Sequence, residues 1–242
     1  MKINKKTTKE ILNFYQDKTV VKVYDNERFS GHGGNYLDLV ETSSIKKHIN
    51  KGEVLELGPG TGRLTTILKN KAGITLTCLD SSLEMLKLLK KKVKVNNIIN
   101  QSIFDKIRIT KKFDYITALR FFDHFSIGDQ NKILKNIIPK LKKQGIIIYS
   151  ALNKNSSESL LSRFFYFSKT NYFYSFDEYE KMFSRNKLKI VSFSSHFMIP
   201  RGVYLRFKKN SIVFKILSSI DERLSIIFNK NGSLYTFVLE SK

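Results

Sequence analysis

Cysteine occurs once in 242 residues, at Cys78. A lone thiol excludes an internal disulfide and any metal centre built from several cysteines. It stands in the apolar alternation Ile74, Leu76, Cys78, which reads as a buried structural position rather than a nucleophile. Proline (3) and glycine (12) are too scarce for a low-complexity chain, and no block recurs at a fixed period. No apolar run approaches the roughly 18 residues of a membrane span. Residues 1–10 are polar and lysine-rich, without the apolar core of a cleaved signal, so a soluble, cytoplasmic protein is expected. His32, His48, His124 and His196 show no ligand spacing, and no metal site is expected.

Acidic residues are also few, 21 against 43 basic ones, which leaves a formal charge of +22. That charge raises RNA, DNA or an anionic membrane as partners. The excess is mostly lysine, 34 against 9 arginines, spread through a chain rich in Lys, Asn, Ile and Phe throughout. Dedicated nucleic-acid surfaces often use the arginine fork instead. The basic run 87–94 reads as the solvated face of a helix, with a polyanion patch as the alternative. The stripe from Ile212 to Ile227, flanked by Lys208, Lys209 and Lys215, could lie on an anionic bilayer, or pack on a helix or a second copy.

With 41% hydrophobic residues the chain can bury one substantial core. Ile11, Leu12 and Tyr15, then Val20 and Val21, read as a helix and a turn. Gly31, Gly33 and Gly34 read as a flexible loop before a helix through Leu37, Leu39, Val40 and Ile45. Strands are expected at 54–57, 74–79, weakly at 98–99, and at 115–119 and 146–149. Between them, three sets have helical spacing: Leu64, Ile67 and Leu68; Leu83, Met85, Leu86, Leu88 and Leu89; and Ile133, Leu134, Ile137, Ile138 and Leu141. This βαβαβ rhythm implies a mostly parallel sheet covered by helices. After Ser150 the rhythm breaks. Residues 176–183 and 212–227 read as helices and 188–193 and 234–239 as strands, the last fitting an antiparallel edge.

The densest signal is Val54–Leu55–Glu56–Leu57–Gly58–Pro59–Gly60–Thr61–Gly62–Arg63, a strand that stops at an acid and passes through three glycines. Such a turn opening a helix makes a pocket for a nucleotide-like ligand, because bare backbone can approach the ligand and the following amides can face it. The Gly-Lys-Ser/Thr ending of a phosphate-binding loop is missing, which argues against ATP hydrolysis. Asp80 ends the next strand, where its carboxylate can take two ribose hydroxyls or cap the helix behind it. Glu56 narrows the ligand class. An acid at the mouth of the first strand repels a pyrophosphate and welcomes a cation.

Residues 54–63, followed by Leu79–Asp80–Ser81–Ser82–Leu83–Glu84–Met85–Leu86, resemble the class I S-adenosylmethionine-dependent methyltransferases. Lys112–Phe113–Asp114–Tyr115–Ile116 with Leu119–Arg120–Phe121–Phe122–Asp123–His124–Phe125 resembles their fourth-strand segment. Ile133–Leu134 through Lys140–Leu141–Lys142–Lys143–Gln144–Gly145 resembles the helix and turn before strand five. The ordered likeness spans about residues 50–150. It implies a Rossmann-like α/β three-layer sandwich, a seven-stranded mostly parallel sheet with an antiparallel last strand, and S-adenosylmethionine as cofactor. A single domain, 1–242, would comprise a helical cap (1–50), a cofactor-binding core (51–150) and substrate-side elements with an insertion (151–233). By the same resemblance, Gly58, Gly60 and Gly62 line the methionine and ribose portion, Glu56 lies near the amino-acid end, and Asp80 binds the ribose. Ser81 and Met85 lie close to the adenine. Where many members carry an acid for the adenine amino group, either Ser102, followed by Ile103, stands in for it or a shifted loop presents Asp105. Leu119 and Arg120 pass beneath the methionine end, and His124 stands at the floor of the substrate cavity as a base or an orienting group. Arg28 with Gly33 and Gly34 resembles the cap loop.

The aromatic-rich segments 160–176 and 197–204 could wall a pocket for an apolar or planar molecule, or be ordinary packing. An Asn-Pro-Pro-Tyr-like motif is absent after strand four, where Phe121–Phe122–Asp123–His124 stands instead. These features favour a small-molecule or lipid-like methyl acceptor. RNA is the alternative acceptor, and a non-enzymatic membrane-surface or scaffold protein is the third reading.

Overall fold

The computed structural model describes residues 8–29, 32–156 and 171–241. Three helices, α1 (Thr8–Phe14), α2 (Lys18–Phe29) and α3 (His32–His48), precede the alternation β1 (Gly52–Leu57), α4 (Arg63–Lys69), β2 (Ile74–Asp80), α5 (Leu83–Lys92), β3 (Asn97–Asn100), β4 (Phe113–Ala118), α6 (Ile127–Ile137) and β5 (Leu141–Asn153). The chain continues through β6 (Phe173–Tyr174), α7 (Phe176–Arg185), β7 (Leu188–His196), α8 (Arg201–Tyr204), α9 (Ile212–Ile227) and β8 (Leu234–Ser241). The sheet order is β3-β2-β1-β4-β5-β8-β7. β1 to β5 run parallel, and β8 is antiparallel to both neighbours, as expected for the last strand. The two-residue β6 pairs with the end of β5 and adds an eighth strand to the seven on that path.

β1 lies inside the sheet between β2 and β4 and is covered on both faces, which is why its sequence is a nearly continuous apolar run. Side chains alternate between the two layers. Val54 packs with Ile45 of α3, Leu68 of α4 and Leu89 of α5, whereas Leu55 and Leu57 join Ile133 and Leu134 of α6 and Tyr179 and Phe183 of α7. Serine side chains start three of the covering helices. Ser82 accepts from the Met85 amide, Ser126 from that of Asp129, and Ser175 with Glu178 makes a reciprocal capping box.

Three local readings differ from the structure. Gly33 and Gly34 lie in the first turn of α3 rather than in a loop. Burial of Tyr36, Leu37, Val40 and Ile45 further along this helix outweighs a glycine cost of about 1 kcal/mol each. Leu141 leaves the helical stripe. α6 ends at Ile137, a tight turn follows at Ile138–Lys140 containing Pro139, and Leu141 opens β5, still buried. Gln144 and Gly145 form an irregularity within β5, with Gln144 at φ 62°, where the pairing shifts from Phe113↔Leu141 to Tyr115↔Ile146.

Phe237 of β8 is fully buried against the rings of Phe183 (5.0 Å) and Phe193 (5.1 Å). Phe237→Ala is expected to cost about 3–5 kcal/mol in urea unfolding, against less than about 0.5 kcal/mol for Val191→Ala on the exposed side of β7. Equal losses at the two positions would contradict this account of the core.

Candidate functional site

The site forms where β1, β2 and β4 end. Glu56 is 4% exposed, and its Oε2 accepts from the Thr65 hydroxyl at 2.7 Å, with the Cys78 sulfur 3.6 Å away. Burial pushes its pKa up to about 7, against the opposing pull of the Thr65 and Cys78 hydrogen bonds and of Arg63. Cys78 is thereby a buried neighbour of the acid, and burial pushes its thiol up as well.

Asp80 grips the turn from the adjacent strand. Its Oδ2 accepts from the Gly60 amide at 3.2 Å and its Oδ1 from the Ser82 amide at 2.8 Å. Burial raises its pKa to about 6, while the Ser82, Gly60 and Ser81 amides act the other way. The cap of α5 is Ser82 rather than Asp80, whose carboxylate instead braces the glycine turn and the Ser82 amide. Gly58 and Gly60 adopt φ of 61° and 55°. A Cβ on Gly58 would lie 2.5 Å from the Phe121 ring, whereas one on Gly60 would enter space with no atom within 4 Å. Gly62, at φ 90°, caps α4 behind the turn.

Of the residues expected at the site, Glu56, Gly58, Gly60, Leu119 and Arg120 line one cavity. Ser81 lies beside it under the amino-terminal arm, its carbonyl accepting from the Gln16 side chain at 2.6 Å. Met85 is buried in the first turn of α5. The Ser102 hydroxyl accepts from the Phe104 amide at 3.3 Å, and Ile103 packs into the core beneath the sheet. Asp105 is exposed. His124, 7% exposed, belongs to the short turn Phe122–His124, and its Nε2 lies 3.1 Å from the Tyr15 hydroxyl. The same arm is tied down where Ser82 Oγ donates to the Tyr15 carbonyl at 2.6 Å.

Sequence reasoning missed four contributors. Tyr24 of α2, Arg63 and Thr117 line the cavity, and Tyr15 reaches His124 across 109 residues of chain. Only Arg63 carried a local signal, since it directly follows the glycine turn. It pairs with Asp38 at 2.8 Å and with the fully buried Glu41. Arg120 is held at φ 56°, an uncommon conformation for a side-chain-bearing residue, by its amide donating to Ser150 Oγ at 2.6 Å. Its guanidinium lies 3.0 Å from Asp123 Oδ2.

Of the two readings of segment 197–204, ordinary packing holds for Phe197 and Tyr204. Tyr204 stacks on Tyr36 at 4.4 Å and Phe197 meets the same ring at 4.8 Å, both inside a buried cluster, so these rings pack α3 against α8 rather than face a ligand. Residues 160–170 of the other aromatic segment lie outside the described residues, as do the side chains of Arg28 and His32. His196 contacts Ser194 at 3.0 Å and burial lowers its pKa to about 4.

A family model described as a methyltransferase domain matches residues 31–192. The chain is 33% identical over 140 residues to an uncharacterised protein of Methanocaldococcus jannaschii, covering 57% of this chain and 51% of that protein. It is 31% identical over 124 residues to the demethylmenaquinone methyltransferase of Thermotoga maritima, covering 50% and 53%. The chain therefore spans about half the length of these curated relatives. A solved structure from Thermotoga maritima, described as an S-adenosylmethionine-dependent methyltransferase and possible histamine N-methyltransferase, superposes with a TM-score of 0.68 at 16% identity, covering 96% of this chain and all of that one. At that identity the likeness concerns the fold.

Glu56 links the site to stability. Between 4.5, its ordinary value, and about 7, the folded protein retains a proton that the unfolded chain has released. Stability therefore falls as pH rises through that window and levels above it. Glu56→Gln, which keeps an acceptor for Thr65 without the charge, is expected to remove the Glu56 share of this slope, leaving those of Asp80 and Glu41 and the opposite one of His196. Above pH ~7 the variant should be more stable by an amount on the order of a few kcal/mol. Urea unfolding of both proteins across the window checks this, and parallel pH profiles would refute it.

Proposed function

The chain belongs to the class I S-adenosylmethionine-dependent methyltransferase family, and on that premise we propose that it transfers a methyl group from S-adenosylmethionine to a small-molecule or lipid-like acceptor. The observation that carries the reading is the cradle between Glu56 and Asp80, two carboxylates on adjacent strand ends flanking the bare backbone of Gly60. Among the described residues neither acid is in an ion pair with a lysine or arginine, so a cationic, ribose-bearing ligand meets complementary groups there.

When bound, S-adenosylmethionine supplies an electrophilic methyl group on a sulfonium whose departure leaves a neutral thioether. Glu56, ionised by the approach of a cation, holds the charged amino-acid end, while Asp80 accepts from the ribose hydroxyls. Gly60 keeps the floor of the cavity free of side chains, and Gly58 leaves room for the Phe121 ring beside it. Arg63, paired with Asp38 and Glu41, and Arg120, paired with Asp123, leave the two acids available to the ligand. The arm carrying Tyr15 excludes water from this end of the sheet, which favours an alignment-driven displacement. For an acceptor hydroxyl or amine whose proton must leave, His124 is the base and the Tyr15 hydroxyl beside it orients the imidazole. A relative named for demethylmenaquinone supports an acceptor of small-molecule type. The charge of +22 keeps RNA as the second acceptor class.

Calorimetry with S-adenosylmethionine is expected to show binding that Gly60→Val abolishes and Asp80→Ala weakens by about tenfold or more, the value of a charged hydrogen bond. Absence of heat with the wild-type chain at millimolar ligand would defeat the cofactor assignment. With methyl-labelled donor and metabolite, lipid and RNA fractions, label is expected in the first two, and His124→Asn should slow its transfer about a hundredfold at unchanged cofactor affinity. Label confined to RNA would reverse the order of acceptors, and undiminished turnover would remove His124 from the reaction.

A further inference from the structure

The most exposed apolar surface in the described residues is one face of α9. Ile212, Ile216 and Ile220 recur every four residues and are 75%, 53% and 42% exposed, and Ile227, seven residues on, is 70% exposed. This spacing stacks them on a single stripe along the helix. The opposite face is fixed. Phe214 is buried, and the fully buried Asp221 accepts from the Tyr36 hydroxyl at 2.6 Å and from the Phe197 and Ile199 amides at 3.0 and 2.8 Å. The helix cannot roll to hide its isoleucines without breaking those bonds. A pinned helix that presents so many large apolar side chains marks a contact surface.

Charge identifies what covers it. Between residues 201 and 230 there are seven cations and two acids, and one of the acids is the buried Asp221. Arg206, Lys208, Lys209 and Lys215 are exposed beside the stripe, and Arg223 sits within it, three residues after Ile220 and four before Ile227. A second copy docked on this face would bring Arg223 against a surface carrying the same excess of positive charge. A lipid surface with anionic headgroups instead takes the isoleucines into the acyl boundary while the long cationic side chains reach the phosphates. We infer that α9 is a docking surface for an anionic bilayer. This goes beyond the methyl-transfer reading and holds whichever acceptor is used.

The surface is joined to the cavity through α3. Asp38 accepts from Lys209, in the loop before α9, at 3.5 Å and from Arg63, in the cavity wall, at 2.8 Å. Tyr36 of the same helix stacks on Tyr204 and bonds Asp221. One helix therefore carries both the contacts that seat α9 and an ion pair that orients a cavity arginine.

The test is flotation of the full chain with vesicles of phosphatidylcholine alone or mixed with phosphatidylglycerol, at about 0.1 M salt, where the Debye length is ~10 Å. The chain is expected to float with the mixed vesicles only, and Ile216→Glu with Ile220→Glu to lower the bound fraction about tenfold or more. Both positions are exposed, so the variant should keep its melting temperature and its calorimetric binding of S-adenosylhomocysteine. Failure of the wild type to float with mixed vesicles overturns the proposal. Equal flotation of the variant also overturns it, since attraction would then rest on charge alone. A wild-type dimer in sedimentation that becomes monomeric in the variant, with vesicle binding unchanged, assigns the face to a second copy instead. Because cofactor binding is read separately, its loss would count against the methyltransferase reading and leave the flotation result standing.

Discussion

An acid held almost entirely out of water at the end of the first strand is the constraint around which the site is arranged. Glu56 sits at the end of β1 with layers on both faces, and its environment raises the cost of its charge. The hydrogen bond that relieves part of that cost comes from Thr65, nine residues later. The chain must therefore turn sharply after Leu57 and re-enter as α4 close above the strand. The left-handed glycines permit that turn, and the Gly60 amide bound to Asp80 fixes its far side. The bare cavity floor is thus a consequence of returning Thr65 to Glu56.

A second requirement follows from the charges around this acid. Glu41 is fully buried and its carboxyl is pushed up by that burial, with Arg63 and Arg120 acting in the opposite sense. Charges taken from water persist when paired with good geometry. α3 supplies Asp38 and Glu41 to Arg63, and the turn after β4 supplies Asp123 to Arg120. The two arginines are thereby held in place without neutralising Glu56 and Asp80. The same helix seats α8 and α9 through Tyr36, so the cap, the cavity wall and the basic apolar face form one connected body.

Legibility in the sequence followed the range of the interactions. The strand at Val54 to Leu57 and the helices around Leu86 and Ile133 were readable because each is specified by its own periodicity and by burial that neighbouring residues share. Gly33 and Gly34 misled because α3 is held by contacts with Phe197, Tyr204 and Phe214, far along the chain. The rings of residues 197–204 announced density but not direction, and Phe197 and Tyr204 point into that same cluster. At the site, Glu56, Gly58 and Gly60 were legible because adjacent residues make the acid-and-glycine turn that ends β1, and Leu119 and Arg120 because the segment after β4 resembles that of the family. Tyr15 and Tyr24 were not, since nothing in a short amphipathic arm states which strand end it covers.

By itself the sequence determined the alternating fold, the acid-and-glycine turn and the class of ligand that such a turn accepts, because strand period, glycine conformation and charge sign are properties of adjacent residues. Tertiary structure alone decided the ionisation of Glu56 near neutrality, the pairing of Tyr15 with His124, and which face of α9 remains in solvent. Each of these depends on burial and on partners brought together from distant parts of the chain, and neither quantity is a local property of the sequence.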